Sequence, residues 1–335
     1  MSRRCDVGYT SRLHMRKIVT HKSPDLDAIG SAWVILRFLP AWEDARVEFV
    51  SAGEKLEGVY DPSVELRAGK EGEAIEIIDG VETIHVDTGL GKLDHHQTQD
   101  NNICGASLSL EYVLANDDCV LHRHDTKREA VKRIIDLIID DDHFQEYYNS
   151  DPANDQYDFS LRGILQGYKL MYQGLDEKIT ERVLEELDSL LHTFESKIWA
   201  ENEINEKGIE FETRWGKGLG VETINDAVLK LAQLQGYTIV VRKDPSQDFV
   251  RIKARPSERI KNPASQRGEQ EARIKGEDGD IDLTPVYEKI KEKDPESSWF
   301  LHVSKKMLLN GSSKNPDMKG SKLTLQEVID ILTNN

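Results

Sequence analysis

The sequence predicts an α/β protein with an N-terminal, mostly parallel sheet flanked by helices, a helical linker and a smaller α/β C-terminal domain. Three observations predict this class. Short apolar runs of strand type alternate with helical patterns in the first part of the chain. A turn-rich segment, "NSDPANDQYD" at 149–158, and one long amphipathic helix at 174–206 follow. Strand patterns then return until the last helix, which begins near Thr324.

These patterns divide the 335 residues into four segments. Residues 1–15 are a polar leader that we expect to be disordered, with either Met1 or Met15 as the native start. Residues 16–150 form the first domain, 151–206 the linker and 207–335 the second domain. Within the second domain, the charged and glycine-bearing stretch 257–280 is expected to form a loop.

Composition limits the class of protein. A net charge of −17 argues against a protein that coats long nucleic-acid duplexes, whereas short anionic substrates stay compatible with it. Three cysteines, Cys5, Cys104 and Cys119, fit neither a disulfide framework nor a zinc motif. No apolar run approaches the roughly 20 residues of a membrane span, and the N-terminus lacks the apolar middle of a signal peptide. We therefore expect a cytoplasmic protein without a membrane partner.

The predicted elements can be placed along the chain. In the first domain, strands are expected at "KIVT" (17–20), "RVEFV" (46–50), "AIEII" (74–78) and "TIHV" (83–86), and helices at 28–38, after Gly105 and at 127–140. In the second domain, strands are expected at "TIVVRK" (238–243), "FVRIKARP" (249–256) and "WFLHVS" (299–304). In parallel sheets, ligands bind beyond the carboxyl ends of the strands. His21 and Asp87 both follow a strand-like run directly.

Histidines and aspartates cluster after these two strands. His21, Asp25 and Asp27 lie in "HKSPDLD", between the first strand and the first helix. One of the two aspartates could simply cap that helix, but the other and the histidine would still be left over. After Asp87, the turn "TGLGKL" leads to the triplet "DHH", which consists of Asp94, His95 and His96.

Such a cluster requires cations. Two carboxylates about 4 Å apart repel each other by about 4 kcal/mol at an effective dielectric near 20. Two divalent ions bridged by one carboxylate would hold the group ionised and would equip it for phosphoryl chemistry. Mixed imidazole and carboxylate ligands suit Mn²⁺, Co²⁺ or Zn²⁺ better than Mg²⁺. We expect two Mn²⁺ ions.

The motifs "HKSPDLDAIGSA", Asp87 at a strand end and "DHHQ" resemble motifs one to three of the DHH phosphoesterase superfamily. That superfamily includes RecJ-type exonucleases, short-oligonucleotide and phosphoadenosine-phosphate phosphatases, and family II inorganic pyrophosphatases. The resemblance covers roughly residues 17–145. The short spacing from Asp87 to Asp94 and the glutamine of "DHHQ" are similar to the melanocyte-proliferating-gene-type hydrolases, whereas the first motif is closer to the oligoribonuclease and pyrophosphatase pattern.

The resemblance implies a role for each motif residue. His21 and Asp25 would bind one metal, Asp27 and His95 the other, and Asp87 would bridge both. His96 would contact the substrate phosphate, and Asp94 would orient the two histidines. A fourth motif would add one aspartate at the end of an apolar helix. "RIIDLIIDDDHF" offers Asp140, Asp141 and Asp142, and alignment of the apolar run favours Asp141, with Asp140 next.

The resemblance also implies a second domain that binds the anionic end of the substrate. The basic stretch 301–323 is the candidate, with "NGSS" as an amide-lined turn for phosphate; a flexible basic loop is the alternative. Arg251, Lys253 and Arg255 alternate along one strand and could either reach a substrate or lie on an exposed strand face. The predicted substrate-binding residues are His96, Arg251, Arg255, His302, Lys305, Lys306, Asn310, Gly311 and Ser312.

The function that follows is a two-metal phosphoesterase acting on phosphodiester or phosphomonoester bonds of nucleotides or short single-stranded oligonucleotides, with Asp87, Asp94, His95 and His96 as its catalytic residues. An inorganic pyrophosphatase is the nearest alternative. A non-catalytic sensor of nucleotides or metals is an alternative of a different class. Such a sensor would use the long helix at 174–206 to associate with itself, as a homodimer, or with a partner.

Overall fold

The computed structural model describes residues 16–59, 74–256, 281–312 and 314–335. The predicted leader and the predicted loop at 257–280 therefore lie outside the described residues. The chain divides into two compact units, Met1–Glu195 (unit 1) and Ser196–Asn335 (unit 2). Both contain a sheet and helices, so the molecule is a mixed α/β protein, as predicted.

Unit 1 is built on a four-stranded sheet. Its strands are β1 (Lys17–His21), β2 (Arg46–Val50), β3 (Ile75–Ile78) and β4 (Val81–His85), in the order β2-β1-β4-β3. Both β2 and β4 run parallel to β1, whereas β3 is antiparallel to β4. Parallel pairing places the ends of β1 and β4 at one edge of the sheet, so the loops that follow His21 and His85 come together there.

The edge strand β3 is the antiparallel member of this mostly parallel sheet. Asp79 and Gly80 form the two-residue turn between β3 and β4, and their φ angles are 51° and 78°. Two successive positive φ angles define the tight turn that an Asp-Gly pair favours between antiparallel strands. The short connection leaves no room for the crossover that a parallel pair would need.

Helix α1 (Leu26–Phe38) packs on this sheet, and further helices follow in the chain. They are α2 (Gly105–Leu114), α3 (Asp125–Asp142), α4 (Asp155–Asp158), α5 (Leu161–Met171) and α6 (Asp176–Lys207), and the division between the units falls within α6. Helix α1 is buried along nearly its whole length. Its Trp33 donates a hydrogen bond from Nε1 to Asp188 Oδ1 of α6 over 2.8 Å, which fixes α1 against the long helix.

Unit 2 contains a six-stranded sheet in the order β5-β6-β7-β8-β10-β9, in which only β6 and β7 are parallel among the described pairs. The strands are β5 (Ile209–Thr213), β6 (Gly216–Glu222), β7 (Ile239–Lys243), β8 (Val250–Ala254), β9 (Phe300–Leu301) and β10 (Met307–Leu309). Its helices are α7 (Ala227–Leu234), α8 (Thr284–Lys293) and α9 (Leu325–Thr333). The strand predicted at 299–304 is only the two-residue β9, because a turn at 303–306 leads directly into β10.

The last helix starts where the sequence predicts. The Thr324 hydroxyl accepts a hydrogen bond from the Glu327 backbone N–H over 3.2 Å, and Glu327 in turn accepts from the Thr324 N–H over 2.8 Å. This reciprocal pair is a capping box. None of the helices in the described part of the chain has the length and apolar character needed to cross a membrane.

Candidate metal centre

The carboxyl ends of β1 and β4 bring the two predicted histidine and aspartate stretches together. His21 ends β1, and Asp87 follows β4 by two residues. Asp87 is 2% exposed and adopts a positive φ of 51°, which turns its carboxylate back toward β1. Its backbone N–H donates to Leu93 O over 2.9 Å, which closes the turn before the "DHH" residues.

His21 presents one ring nitrogen to two carboxylates. Its Nδ1 lies 2.9 Å from the Lys22 carbonyl oxygen, which requires the proton on Nδ1. The other nitrogen, Nε2, lies 3.2 Å from Asp87 Oδ2 and 3.5 Å from Asp25 Oδ2. A lone pair facing two carboxylates is repulsive, so a proton or a metal ion must lie between them.

His95 has the same arrangement with three carboxylates. Its Nε2 lies 3.5 Å from Asp87 Oδ1, 3.5 Å from Asp142 Oδ2 and 3.6 Å from Asp27 Oδ2. The two oxygens of Asp87 therefore face different histidines, with Oδ2 toward His21 and Oδ1 toward His95.

The pKa values follow from this crowding. Burial opposes a charge on His21, but hydrogen bonds to Asp25 and Asp87 raise its pKa to about 10. The Asp87 carboxylate, whose Oδ1 lies 3.5 Å from His95 Nε2, raises the pKa of His95 to about 9 despite burial. Burial and the neighbouring Asp87 raise the pKa of Asp27 well above its ordinary value. The centre therefore holds more negative charge than its surroundings stabilise, and protons compensate for it when no metal does.

Asp25 and Asp27 each also cap a helix. Asp25 Oδ1 accepts from the Ala28 N–H over 3.0 Å at the start of α1. Asp27 accepts from the N–H groups of Gly105 and Ala106, both over 2.7 Å, at the start of α2. Both aspartates thus serve as caps and still face the cluster, so the capping explanation and the metal explanation are compatible.

Asp94 and His96 form a separate pair at the open side of the cluster. His96 Nδ1 lies 2.7 Å from Asp94 Oδ1, and the Asp94 carboxylate also accepts the N–H groups of His96 and Leu90 over 3.0 and 2.7 Å. Burial raises the pKa of Asp94, but these hydrogen bonds outweigh it and hold the pKa below its usual range. The His96 side chain is 57% exposed, with Nε2 left for a ligand.

The end of α3 brings Asp142 into the cluster and turns Asp141 away from His95. Asp142 Oδ2 lies 3.5 Å from His95 Nε2, whereas Asp141 Oδ1 lies 3.5 Å from Arg162 Nε on α5. Burial raises the pKa of both carboxyls, that of Asp141 to about 6. Successive helix residues differ by 100° in direction, so a shift of one position decides which side chain enters the cluster. The apolar run alone does not fix which of the three aspartates at the end of α3 faces the cluster.

Two further residues were not found from the sequence. His143 follows Asp142, lies 3.6 Å from its Oδ2 and places its ring edge-to-face with His95, with ring centres 5.8 Å apart. Gly105 lies at the floor of the cluster, where an added Cβ would meet Asp87 Cβ at 2.9 Å and Asp27 Oδ2 at 3.0 Å. The position of His143 directly after the "DDD" run is a signal that the sequence offers, whereas nothing in the sequence marks Gly105.

The side chains present fit a metal ion. Three sets of side chains could each surround a cation: His21, Asp25 and Asp87; Asp87, His95 and His96; and His95, Asp142 and His143. Asp87 belongs to two of these sets. Asp87 Oδ1 and His95 Nε2 are fully buried and have no hydrogen-bond partner among the described residues. Buried polar atoms without partners are costly, and a cation between them would satisfy both.

The predicted substrate-binding residues of unit 2 have partners of their own. Arg251 Nη1 lies 2.8 Å from Asp226 Oδ2, Lys305 Nζ lies 2.7 Å from Asp282 Oδ2, and Lys306 Nζ donates to Ile281 O over 3.1 Å. His302 Nδ1 lies 2.8 Å from Ser304 Oγ. The fourth of these residues with a charged side chain, Arg255, is not without a partner either. The basic character of 301–323 is therefore offset by acidic residues distant in sequence.

The "NGSS" stretch, predicted as a phosphate turn, also makes contacts within the fold of unit 2. Asn310 is fully buried, and its Oδ1 accepts from the Val250 N–H over 2.5 Å. The Gly311 backbone packs against the Phe249 ring, where an added Cβ would lie 2.3 Å from it. Ser312 pairs with Asn315 in an isolated bridge, and Ser313 lies outside the described residues.

The solved structures that resemble this chain include two distant likenesses. The chain matches no protein-family model and no curated protein. A solved structure described as a member of the s1p family of ribosomal proteins, DHH domain, is 11% identical, with 96% of this chain and 86% of that chain covered and a TM-score of 0.28. A Methanococcus jannaschii chain named as a family II inorganic pyrophosphatase is 16% identical, with coverages of 96% and 100% and a TM-score of 0.18. Because TM-scores this low do not establish a shared fold, function must be argued from the residues.

Proposed function

We propose that the protein is a two-metal-ion phosphoesterase that hydrolyses phosphodiester or phosphomonoester bonds of nucleotides or short oligonucleotides. One observation carries the proposal. The two oxygens of the buried Asp87 carboxylate face different histidines, His21 at 3.2 Å and His95 at 3.5 Å. A carboxylate placed in this way can bridge two cations, which is the usual arrangement in two-metal hydrolysis of phosphoesters.

The ligand sets follow from the same distances. His21 and Asp25 would hold the first ion, and Asp27, His95 and Asp142 the second, with Asp87 shared. Asp142 takes the place of Asp141 in this proposed set because Asp142 Oδ2 lies 3.5 Å from His95 Nε2, whereas Asp141 Oδ1 lies 3.5 Å from Arg162 Nε. Imidazole and carboxylate together favour Mn²⁺, with Co²⁺, Zn²⁺ and Mg²⁺ as the other candidates.

The protein's own residues would position the substrate. When bound, the ions would supply a nucleophile from water and neutralise the phosphoryl charge. His96 holds its Nδ1 toward Asp94 over 2.7 Å and so directs Nε2 outward. We propose that this nitrogen contacts a non-bridging phosphate oxygen, and that Asp94 maintains the ring orientation. Asp27 keeps α2 in register with the centre through its two backbone hydrogen bonds.

The test is hydrolysis of a small panel of phosphorylated compounds. Wild type and Asp87→Ala are incubated with pyrophosphate, phosphoadenosine phosphate, linear and cyclic dinucleotides, a short RNA and a base-free phosphodiester, with Mn²⁺ or with chelator. Released phosphate and nucleotides are separated by chromatography. We expect turnover of an organic phosphoester that needs Mn²⁺ and is lost in Asp87→Ala.

The other outcomes select the alternatives. Turnover of pyrophosphate alone would identify a pyrophosphatase with the same metal centre. If wild type binds two ions and a nucleotide but hydrolyses nothing in the panel, the phosphoesterase proposal is wrong and a sensor is the better account.

A further inference from the structure

Exposed aromatic side chains are concentrated directly after the helix that carries Asp142. Phe144, Tyr147 and Tyr148 are 68%, 76% and 79% exposed, and the ring centres of the two tyrosines lie 5.7 Å apart. Aromatic residues usually bury most of their large apolar area, and an exposed group of them marks a binding surface. We call these three residues the aromatic patch.

The backbone at Phe144 supports this view. Phe144 follows α3 and has a φ of 53°, in the left-handed region. Glycine or asparagine is usual after a helix in this conformation, because a side chain there is strained. The Phe144 ring gains no burial that would offset the strain. A strained and exposed aromatic residue beside a cluster of charged groups indicates a role in binding.

The patch adjoins the proposed metal centre within unit 1. Phe144 is separated from Asp142 by one residue, and Tyr147 and Tyr148 lie in the 3-10 helix Gln145–Tyr148. Arg162, near the start of α5, lies 3.5 Å from Asp141 Oδ1 and also pairs with Glu146 of that 3-10 helix. The arginine therefore connects the aromatic patch with the helix end that supplies Asp142.

We propose that the aromatic patch stacks the bases of a short single-stranded nucleic acid whose scissile phosphate lies at the metal centre. This inference rests on the proposed function and adds the residues that select the substrate class. Rings that stack bases accept any sequence, and the 40% exposed Arg162 side chain offers a planar guanidinium to a neighbouring phosphate.

Charge determines the length of nucleic acid that fits. Asp151, Asp155 and Asp158 lie in the same segment as the patch, and the whole chain carries a net charge of −17. Long polyanions are repelled by such a surface, whereas a few stacked bases contribute affinity without many phosphate contacts. Binding should therefore depend only weakly on salt, unlike ordinary nucleic-acid binding.

The experiment compares an oligonucleotide with its base-free counterpart. Isothermal titration calorimetry measures unlabelled penta-adenylate and an abasic pentamer of the same charge, with chelator present so that neither is hydrolysed. The proteins are wild type, Tyr147→Ala, Tyr148→Ala and, as a control, Leu234→Ala, whose leucine is 74% exposed in unit 2. Circular dichroism checks that each variant is folded.

Stacking predicts a base-dependent loss. Penta-adenylate should bind wild type at least about tenfold more tightly than the abasic pentamer, and each aromatic variant should weaken penta-adenylate at least about fivefold without affecting the abasic pentamer. Leu234→Ala should change neither affinity. Two results would overturn the inference. One is equal binding, or no binding, of the two pentamers to wild type; the other is a homodimer, seen by sedimentation, that the aromatic substitutions disrupt.

This inference and the proposed function can fail separately. Metal-dependent hydrolysis of the base-free phosphodiester by wild type tests the metal centre alone. If that hydrolysis occurs and the two pentamers bind equally, only the role of the aromatic patch is wrong. If wild type hydrolyses no phosphoester, the proposed function itself is wrong.

Discussion

At the scale of single residues, the proposed centre depends on backbone conformations that its side chains do not favour. Ser23, Asp87 and Leu90 have φ angles of 52°, 51° and 52°. Each costs about 1–3 kcal/mol and persists only where the surroundings hold it. Asp87 is held by the turn to Leu93, and Ser23 by side chains from α5 and α6. Conformational strain therefore collects in the loops that carry the ligands.

Gly105→Ala should weaken metal binding. An added methyl group would lie 2.9 Å from Asp87 Cβ and 3.0 Å from Asp27 Oδ2, so both proposed ligands must move. We expect Mn²⁺ affinity at least about tenfold lower by calorimetry. Gly91→Ala is the matched control, because an added Cβ there has nothing within 4 Å. Unchanged affinity in Gly105→Ala would show that the floor of the cluster is not rigid.

The fourth carboxylate can be assigned with a pair of isosteric variants. Asp142→Asn removes the negative charge of the carboxylate that lies 3.5 Å from His95 Nε2. Asp141→Asn removes one of the carboxylates that pair with Arg162. We expect Asp142→Asn to lose at least about tenfold in the affinity of the second Mn²⁺, and Asp141→Asn to change it much less. The reverse order would restore the assignment to Asp141 that the apolar run of α3 favours.

At the scale of elements, α5 and α6 hold the loop that follows β1. Lys169 of α5 donates from Nζ to Ser23 O over 3.0 Å, and Asp176 at the start of α6 accepts the Ser23 N–H over 3.0 Å. Both backbone groups of one strained residue are therefore fixed by side chains. Because Ser23 lies between His21 and Asp25, these two contacts set the separation of two proposed ligands.

Asp176→Asn and Lys169→Met should loosen this loop and reduce the affinity of the first Mn²⁺ by about tenfold each. Glu177→Gln, one residue along α6, serves as a control that leaves the Ser23 contacts intact. Calorimetry measures the affinity, and the melting temperature of the metal-free variants reports any general loss of stability. An affinity loss as large in Glu177→Gln would contradict the role given to these contacts.

The elements also show what a sequence can predict. The stretches at 21–27 and 87–96 follow strand-like runs, so their meeting at one sheet edge was predictable from the pattern of a parallel sheet. The antiparallel direction of β3 follows from the tight Asp79–Gly80 turn, which the strand pattern alone does not reveal. The lysines of 301–323 looked unpaired because Asp282 and Glu296, which pair with Lys305, Lys319 and Lys322, lie outside that stretch. Pairing between distant segments is a tertiary property that local charge counts do not contain.

At the scale of the whole molecule, protons and metal ions compete for the same centre. His21 and His95 have pKa values of about 10 and about 9, so both are protonated at neutral pH in the metal-free protein. A metal ion must displace these protons. We expect the apparent affinity for Mn²⁺ to rise with pH between 7 and 9, by up to about 100-fold per unit if two protons leave.

The stability of the metal-free protein should change in the opposite sense. The pKa of His21 rises from 6.5 to about 10 and that of His95 from 6.5 to about 9 on folding. Their contribution is therefore complete below pH 6.5 and is lost as the pH rises toward 10. We expect the melting temperature with chelator to fall over this range and the temperature with Mn²⁺ to stay higher. His192→Gln, whose side chain is 80% exposed on α6, should leave this dependence unchanged. A chelated protein with a flat profile would contradict these pKa shifts.

The number of Mn²⁺ ions that each chain binds, measured by equilibrium dialysis with elemental analysis in wild type and in Asp87→Asn, decides whether Asp87 bridges two ions. Because Asp87 faces His21 with one oxygen and His95 with the other, we expect two ions per chain in wild type and a marked loss of both affinities in the variant. One ion or none in wild type, or two ions bound equally well by Asp87→Asn, would contradict a centre bridged by Asp87.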